Sequence, residues 1–260
     1  MKKNILFVAV IALISAFIIG CESHGTPNGG GDGLVNNYTL QGYFVQNVNA
    51  TIDRNDFGAV MTRNSSDLQT AQLFFGSSAL VYSGVSSQYT FATSPRGYRT
   101  PDTTIINIVD STLFADTLAT FVLDSVWITT IQDSTVPNTG GTAINIEWSA
   151  VANSDGYIVA VVHTDSSYQS TGYSAFVTDL TPSTTIPPDA FRYNSNLVTG
   201  WYEIYVYAYS GSPDLALSSD ILPVPIPSQI ADNISHTNLT GHFGSIVVSR
   251  KKMIQVVTIS

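Results

Sequence analysis

Apolar and polar residues alternate in short runs along most of this chain, and turn-forming residues separate the runs. A period of two puts one set of side chains on a buried face and the other in solvent, which is the pattern of a half-buried β-strand. In the first half it predicts strands over Thr39–Val48, Gly58–Arg63, Thr70–Phe75, Ala79–Tyr82, Gln88–Thr93, Thr103–Val109 and Ala119–Thr130. The turns fall at Arg63–Asp67, Gly76–Ser78, Ser83-Gly84 and Ser94–Gly97, which are rich in Gly, Asn, Asp, Ser and Pro. In the second half Ile144, Ile146 and Trp148 alternate, Gly156–Val161 forms a second run and Gly200–Ala208 a third. Ser245–Ser249 and Met253–Ile259 flank Arg250-Lys251-Lys252 and predict a C-terminal hairpin.

Composition supports the strands and argues against helices. The 260 residues include three Glu (22, 147, 203) and four Lys (2, 3, 251, 252), the residues that normally fill the wet face of a helix. Thirteen Tyr, twelve Phe and abundant Thr, Val and Ile suit pleated, half-buried surfaces. The expected fold class is all-β, with two tandem immunoglobulin-like β-sandwiches over 37–131 and 132–260. Residues 211–243 read as an insertion in the second sandwich, containing the proline-interrupted Leu222–Pro227. The last strand of that sandwich is then Met253–Ile259, or alternatively Ile221–Ile226, where prolines confine it to an edge.

The N-terminal segment follows different rules. Lys2 and Lys3 precede an uncharged apolar run from Ile5 to Ile19, whose 15 residues fall short of the ~20 that a spanning helix needs. A basic start, a short apolar core and a small residue at its end read as a signal peptide over 1–20. Residues 22–36 carry six Gly or Pro with no strand or helix period, and with Cys21 they form an expected flexible tether over 21–36. Ile18-Ile19-Gly20-Cys21 resembles the lipobox of bacterial lipoproteins. That resemblance implies cleavage before Cys21, acylation of its thiol, and attachment to the membrane through the lipid. Each buried CH₂ contributes ~0.8 kcal/mol and stable anchoring takes more than one chain, a requirement met by the diacylglycerol and N-acyl chains the family carries. Glu22, in place of the Asp linked to inner-membrane retention, points to the outer membrane of a bacterial envelope.

Two further resemblances concern the sandwiches. Ala71–Gly76, Leu80, Tyr82, Gly84 and Tyr89–Phe91 resemble transthyretin-like or carboxypeptidase-regulatory-like modules, against the alternative of an unclassified immunoglobulin-like sandwich. Trp148, Tyr157, Leu197, Tyr202, Ile204, Val206 and Ala208 resemble a fibronectin type III domain across about residues 136–210. There Trp148 matches the family's strand B tryptophan and Tyr202 its corner tyrosine, whose hydroxyl is expected to bond back to backbone.

Charge and motifs exclude several chemistries. The formal net charge is −9, and losing Lys2 and Lys3 with the signal takes it to about −11, so nucleic acid is not an expected partner. A lone Cys gives neither a disulfide nor a Cys-based zinc site. His24, His163, His236 and His242 form no HxH or HExxH pattern, and no P-loop, GxSxG elbow or EF-hand loop occurs. No metal, cofactor or catalytic residue is expected. Glu147 and Glu203 alternate with core positions on strands of opposite sheets, so they are expected to lie too far apart to act as a carboxylate pair. His163-Thr164-Asp165 reads as a loop pair at a strand end. The sequons at Asn37, Asn49, Asn64, Asn233 and Asn238 are chance products of an Asn/Ser/Thr-rich surface.

The expected binding candidates are Trp201, Tyr205, Tyr207 and Tyr209. They alternate outward with Glu203 on the third run, beside Ile158, Ala160 and Val162. Either the 211–243 insertion or the first sandwich covers this face, or it binds an envelope protein or a glycan. The expected function is non-catalytic binding or scaffolding at the bacterial envelope; the alternative is a glycan-binding accessory lipoprotein of a polysaccharide-uptake system.

Overall fold

A computed structural model describes residues 37–49, 52–93, 95, 101–111, 113–132, 135–137, 143–168, 172–177, 180–214, 222, 224 and 231–257. The expected signal, Cys21 and the expected tether lie outside these residues. The chain is all-β, and no α-helix occurs among the described residues. The first half carries β1 (Tyr38–Asn49), β2 (Ile52–Arg63), β3 (Ser66–Asp67), β4 (Gln72–Phe75), β5 (Ser78–Ser83), β6 (Gln88–Phe91), β7 (Asp102–Asp110) and β8 (Phe114–Val122). Then follow β9 (Ile128–Ile131), β10 (Thr135–Pro137), β11 (Ile144–Trp148), β12 (Gly156–His163), β13 (Tyr173–Val177) and β14 (Ser183–Ile186). After a 3-10 turn at Pro188–Phe191 come β15 (Arg192–Tyr193), β16 (Asn196–Leu197), β17 (Gly200–Gly211), β18 (Ile234–His236), β19 (Leu239–Val248) and β20 (Lys252–Val257).

The expected run Ala119–Thr130 is two strands. Leu123–Trp127 breaks it between β8 and β9 so that Leu123 and Val126 can turn into a core. Burial outweighs the continuous β-propensity of the stretch.

The C-terminal run is not the expected hairpin. β19 and β20 both pair antiparallel with β17, Tyr207 opposite Val248 and Ile204 opposite Lys252. Three steps along β17 are matched by four along its partner, which is one extra residue and therefore a β-bulge. Ser249 makes it possible. Its N–H donates to Val206 O at 2.8 Å and its Oγ accepts from Val206 N at 2.9 Å, standing in for a ladder carbonyl. Arg250-Lys251-Lys252 contains no Gly, Asn or Pro to reverse the chain, so the strand bends and continues.

That long strand joins the halves. β1 pairs along β19 in parallel from Tyr38–Leu239 to Asn47–Val248, while β17 takes the other edge of β19 from Gly244 onward. Residues 36–260 form one compact unit containing two side-by-side cores. The first is aromatic, with Phe44 and Phe75 rings 4.7 Å apart and Phe57 5.4 Å from Phe243. The second holds Trp148 edge-on to Tyr157 at 5.2 Å, among Ile144, Ile146, Val159, Ile204 and Val206. The expected boundary at 131/132 does not divide them. Leu123, Val126 and Ile128 fill the second core, whereas Ile234, Leu239 and Phe243 fill the first.

Two sheets face each other around the second core. One runs β14-β11-β9, and the other sets β12 beside β13 and β17, with β20 on the far edge of β17 and β10 parallel to β20. Alternation on β11 follows the expectation, with Ile144, Ile146 and Trp148 buried and Asn145 and Glu147 exposed. Every residue of β12 is buried, so that strand is covered on both faces. The Tyr202 hydroxyl lies 2.8 Å from Val198 O and 3.1 Å from Phe191 O, and fixes the corner at which β17 begins.

Candidate functional site

The expected face on β17 is mostly closed. Tyr207 is fully buried and Tyr205 is 4% exposed. They pack with Tyr43, Val45, Ile158, Ala160, Val162, Ile246, Val248 and Val224, and Leu222 packs against the same cluster. The Tyr207 hydroxyl accepts from Val224 N at 3.3 Å, and the Tyr205 hydroxyl donates to Glu203 Oε2 at 2.6 Å. Burial raises both phenols far above the ordinary tyrosine range, and at Tyr205 the bond to Glu203 adds to the effect. Tyr209 is half-buried against Phe176, their rings 5.7 Å apart. Of the four residues only Trp201, 48% exposed, presents an open ring. Of the two alternatives for this face, burial supports the covered one: the residues belong to a packed third cluster, and as a binding face Tyr205 and Tyr207 are closed. Its cover includes Leu222 and Val224, from the stretch expected as an insertion at 211–243; further along that stretch Ile234–His236 and Leu239–Phe243 are instead β18 and the start of β19, and pack in the first core. Cys21 lies outside the described residues.

An exposed aromatic site occurs instead where β12 ends and β17 begins. Tyr168 lies in the loop after β12, and Tyr193 at the end of β15. Five rings run from core to surface, each edge-on to the next. Phe191 meets Tyr202 at 5.1 Å, Tyr202 meets His163 at 4.7 Å, His163 meets Tyr168 at 5.0 Å and Tyr168 meets Tyr193 at 5.2 Å. Edge-to-face contacts match positive ring edges to negative ring faces, and each contributes about 1 kcal/mol beyond its area. Phe191 is 1% exposed, whereas Tyr168 and Tyr193 are half-buried, so the series leads outward.

Backbone geometry holds these rings in place. Asn194 (φ 49°) and Ser195 (φ 66°) turn the β15–β16 hairpin, as a two-residue loop with both φ positive does. Arg192 braces it, its Nη1 donating to Ser195 O at 2.8 Å and its Nε lying 3.1 Å from Asp189. His163 Nδ1 accepts from Asp165 N at 2.9 Å, which leaves Nε2 to donate to Thr199 O at 3.3 Å. Gly200, at φ 139°, lies so close that a Cβ there would come within 2.5 Å of His163 Nε2. His163 thus pairs with Asp165 at the end of β12 and is also a buried spacer between Tyr202 and Tyr168.

Tyr168, Tyr193, Asn194, Asn196, Leu197, Val198 and Thr199 line a shallow, open groove. A narrower recess beneath it reaches His163 and Tyr202. The groove mixes apolar ring surface with amides and a hydroxyl. Periodicity could not find it, because its residues fall in a loop and a tight hairpin. The one local signal is Tyr193-Asn194-Ser195-Asn196, whose Asn-Ser pair favours a turn.

Other polar clusters are structural in form. Tyr38 and Arg63 both bond Asp110 Oδ2, at 3.0 and 2.9 Å. His242 lies between Asp214 and Asp232, with Nε2 3.2 Å from one and Nδ1 3.5 Å from the other. The two carboxylates approach opposite ring nitrogens and so do not converge on a common point. Among the described residues no group of three or more His, Cys, Asp or Glu is placed to hold a metal ion. Glu147 and Glu203 lie on strands of the two facing sheets. No known family model matches the chain, and no curated protein matches it significantly.

Proposed function

We propose that this is a lipid-anchored bacterial cell-envelope protein with a non-catalytic binding or scaffolding role, attached through Cys21, most consistently to the outer membrane. The observation that carries the reading is Ile18-Ile19-Gly20-Cys21 at the end of a short apolar run preceded by Lys2 and Lys3. The acylated cysteine supplies the membrane affinity, and the Gly-rich tether gives the folded unit reach: about 15 residues span at most ~50 Å. The folded unit supplies rigid β surface and a preformed groove. The fibronectin type III reading of the second half is supported by the β14-β11-β9 sheet facing β12, β17 and β20, and by the Tyr202 corner.

Metabolic labelling with a palmitate analogue and detergent phase partitioning test the anchor. Labelled wild-type protein in the detergent phase, and an unlabelled, unprocessed or released Cys21→Ala variant, are expected. Equal labelling and partitioning of the two overturn the anchor.

The second reading is a glycan-binding accessory lipoprotein of a polysaccharide-uptake system. It loses Tyr205 and Tyr207 as a sugar platform, since both are buried. The groove at Tyr168 and Tyr193 is the observation that keeps it in view.

A further inference from the structure

We infer that the groove between Tyr168 and Tyr193 binds a neutral oligosaccharide. The inference rests on the binding role proposed above and gives that role a ligand class.

A pyranose has two kinds of surface: faces of C–H groups and a rim of hydroxyls that both donate and accept. The groove offers a partner for each. Tyr168 and Tyr193 meet at 75° with centroids 5.2 Å apart, and so form a corner of two ring surfaces. A flat C–H face can lie on one ring while the sugar's edge abuts the other. Asn194 and Asn196 bring exposed amides to the same groove, and Thr199 an exposed hydroxyl. An amide carries both donor and acceptor, as a sugar hydroxyl does, whereas a carboxylate only accepts and an ammonium only donates. Side chains of this type therefore suit hydroxyls better than ions.

Charge points the same way. Among the described residues, the groove wall carries no acidic or basic side chain. The nearby Arg192 is engaged by Ser195 O and Asp189. With a net charge of −9, the protein opposes a polyanion. The open form admits a chain passing through, so an oligomer suits it better than an enclosed monosaccharide.

The rings are also ordered before any ligand arrives. Tyr168 abuts His163, which is bonded on both nitrogens, and Tyr193 sits on a braced two-residue turn. Preorganisation lowers the ordering cost of binding, which matters most for weak, open sites.

The test uses full-length mature protein in detergent on an array of neutral oligosaccharides, followed by calorimetry with the best hit. Saccharide binding by the wild type is expected, weakened about two- to tenfold in Tyr193→Ala and in Tyr168→Ala, the loss that follows from removing one aromatic contact. Val85→Ser, in the exposed turn between β5 and β6, is expected to bind as the wild type does. Circular dichroism and a urea midpoint establish that each variant is folded. If a variant fails to fold, Asn196→Ala and Thr199→Ala replace it, with the same direction of change expected. No binding across the array overturns the inference, as does binding that survives both Tyr variants. A protein partner captured through Tyr193 overturns the sugar class yet leaves the envelope-binding role standing. That role fails separately, if Cys21→Ala leaves membrane attachment unchanged.

Discussion

Tyr205 and Tyr207 on β17, and Tyr168 and Tyr193 at the rim of the groove, are one residue type in two opposite settings. The first pair lies on a regular strand whose alternation is plain in the sequence, yet it is sealed beneath a third apolar cluster. The second pair lies in a loop and a hairpin, and each ring is partly exposed. Alternation tells which side chains share a sheet face. It does not tell whether that face is wet, because the cover comes from elsewhere in the chain. Here Val224, from a proline-interrupted stretch, closes the face and bonds Tyr207.

The largest expected effect is alkaline. Burial pushes Tyr89 and Tyr202 up to about 12 and raises Tyr205 and Tyr207 further. These phenols ionise near 10 in the unfolded chain but hold their protons in the folded one. Between those values the unfolded state binds fewer protons, so stability falls as pH rises. The contribution is fully present below pH 10 and is lost as pH climbs through about 12, at roughly 1 kcal/mol per pH unit for each tyrosine. Urea midpoints measured from pH 8 to 12 are expected to hold steady and then drop beyond pH 10. A flat profile to pH 12 would mean that these rings are as wet as the groove pair, and the contrast would collapse.

Next in size is Tyr207→Ala. Deleting a fully buried ring costs about 3–5 kcal/mol, the range for large-to-alanine changes in a core. Equilibrium urea unfolding with an unchanged m-value is the measurement. A loss below about 1 kcal/mol would show that the Val224 cover is loose and would restore β17 as a candidate surface.

The legible parts of the molecule are those whose determinants are local. Ile144, Ile146 and Trp148 on β11 announce their own face, and Tyr202 sits at the corner where its neighbours Val198 and Phe191 offer carbonyls. What could not be read depends on distant partners. The parallel pairing of β1 with β19 joins the two ends of the folded unit, and no local period encodes it. The strand through Ser249 looks like two strands and a basic turn until the bulge, made by one hydroxyl, is seen. The groove was illegible for a related reason. Tyr168 and Tyr193 are brought together by His163, which spaces one ring, and by a two-residue turn that aims the other.

The smallest expected effect sharpens the contrast most. Tyr193→Ala removes a half-buried ring at the tip of an edge-to-face series whose inner members stay in place. Phe191, Tyr202 and His163 keep their mutual contacts, and the Asn194–Ser195 turn keeps its brace from Arg192. The ring's loss therefore forfeits about one aromatic contact and some partly wet area, and the expected cost is about 1 kcal/mol or less. The same chemical deletion at Tyr207 is expected to cost several times more. A side chain whose removal hardly alters the urea midpoint contributes little to folding, so whatever binding is lost with it belongs to recognition. If Tyr193→Ala instead destabilises as much as Tyr207→Ala, the rim is part of the core, and the two tyrosine clusters differ only in where along the chain they arise.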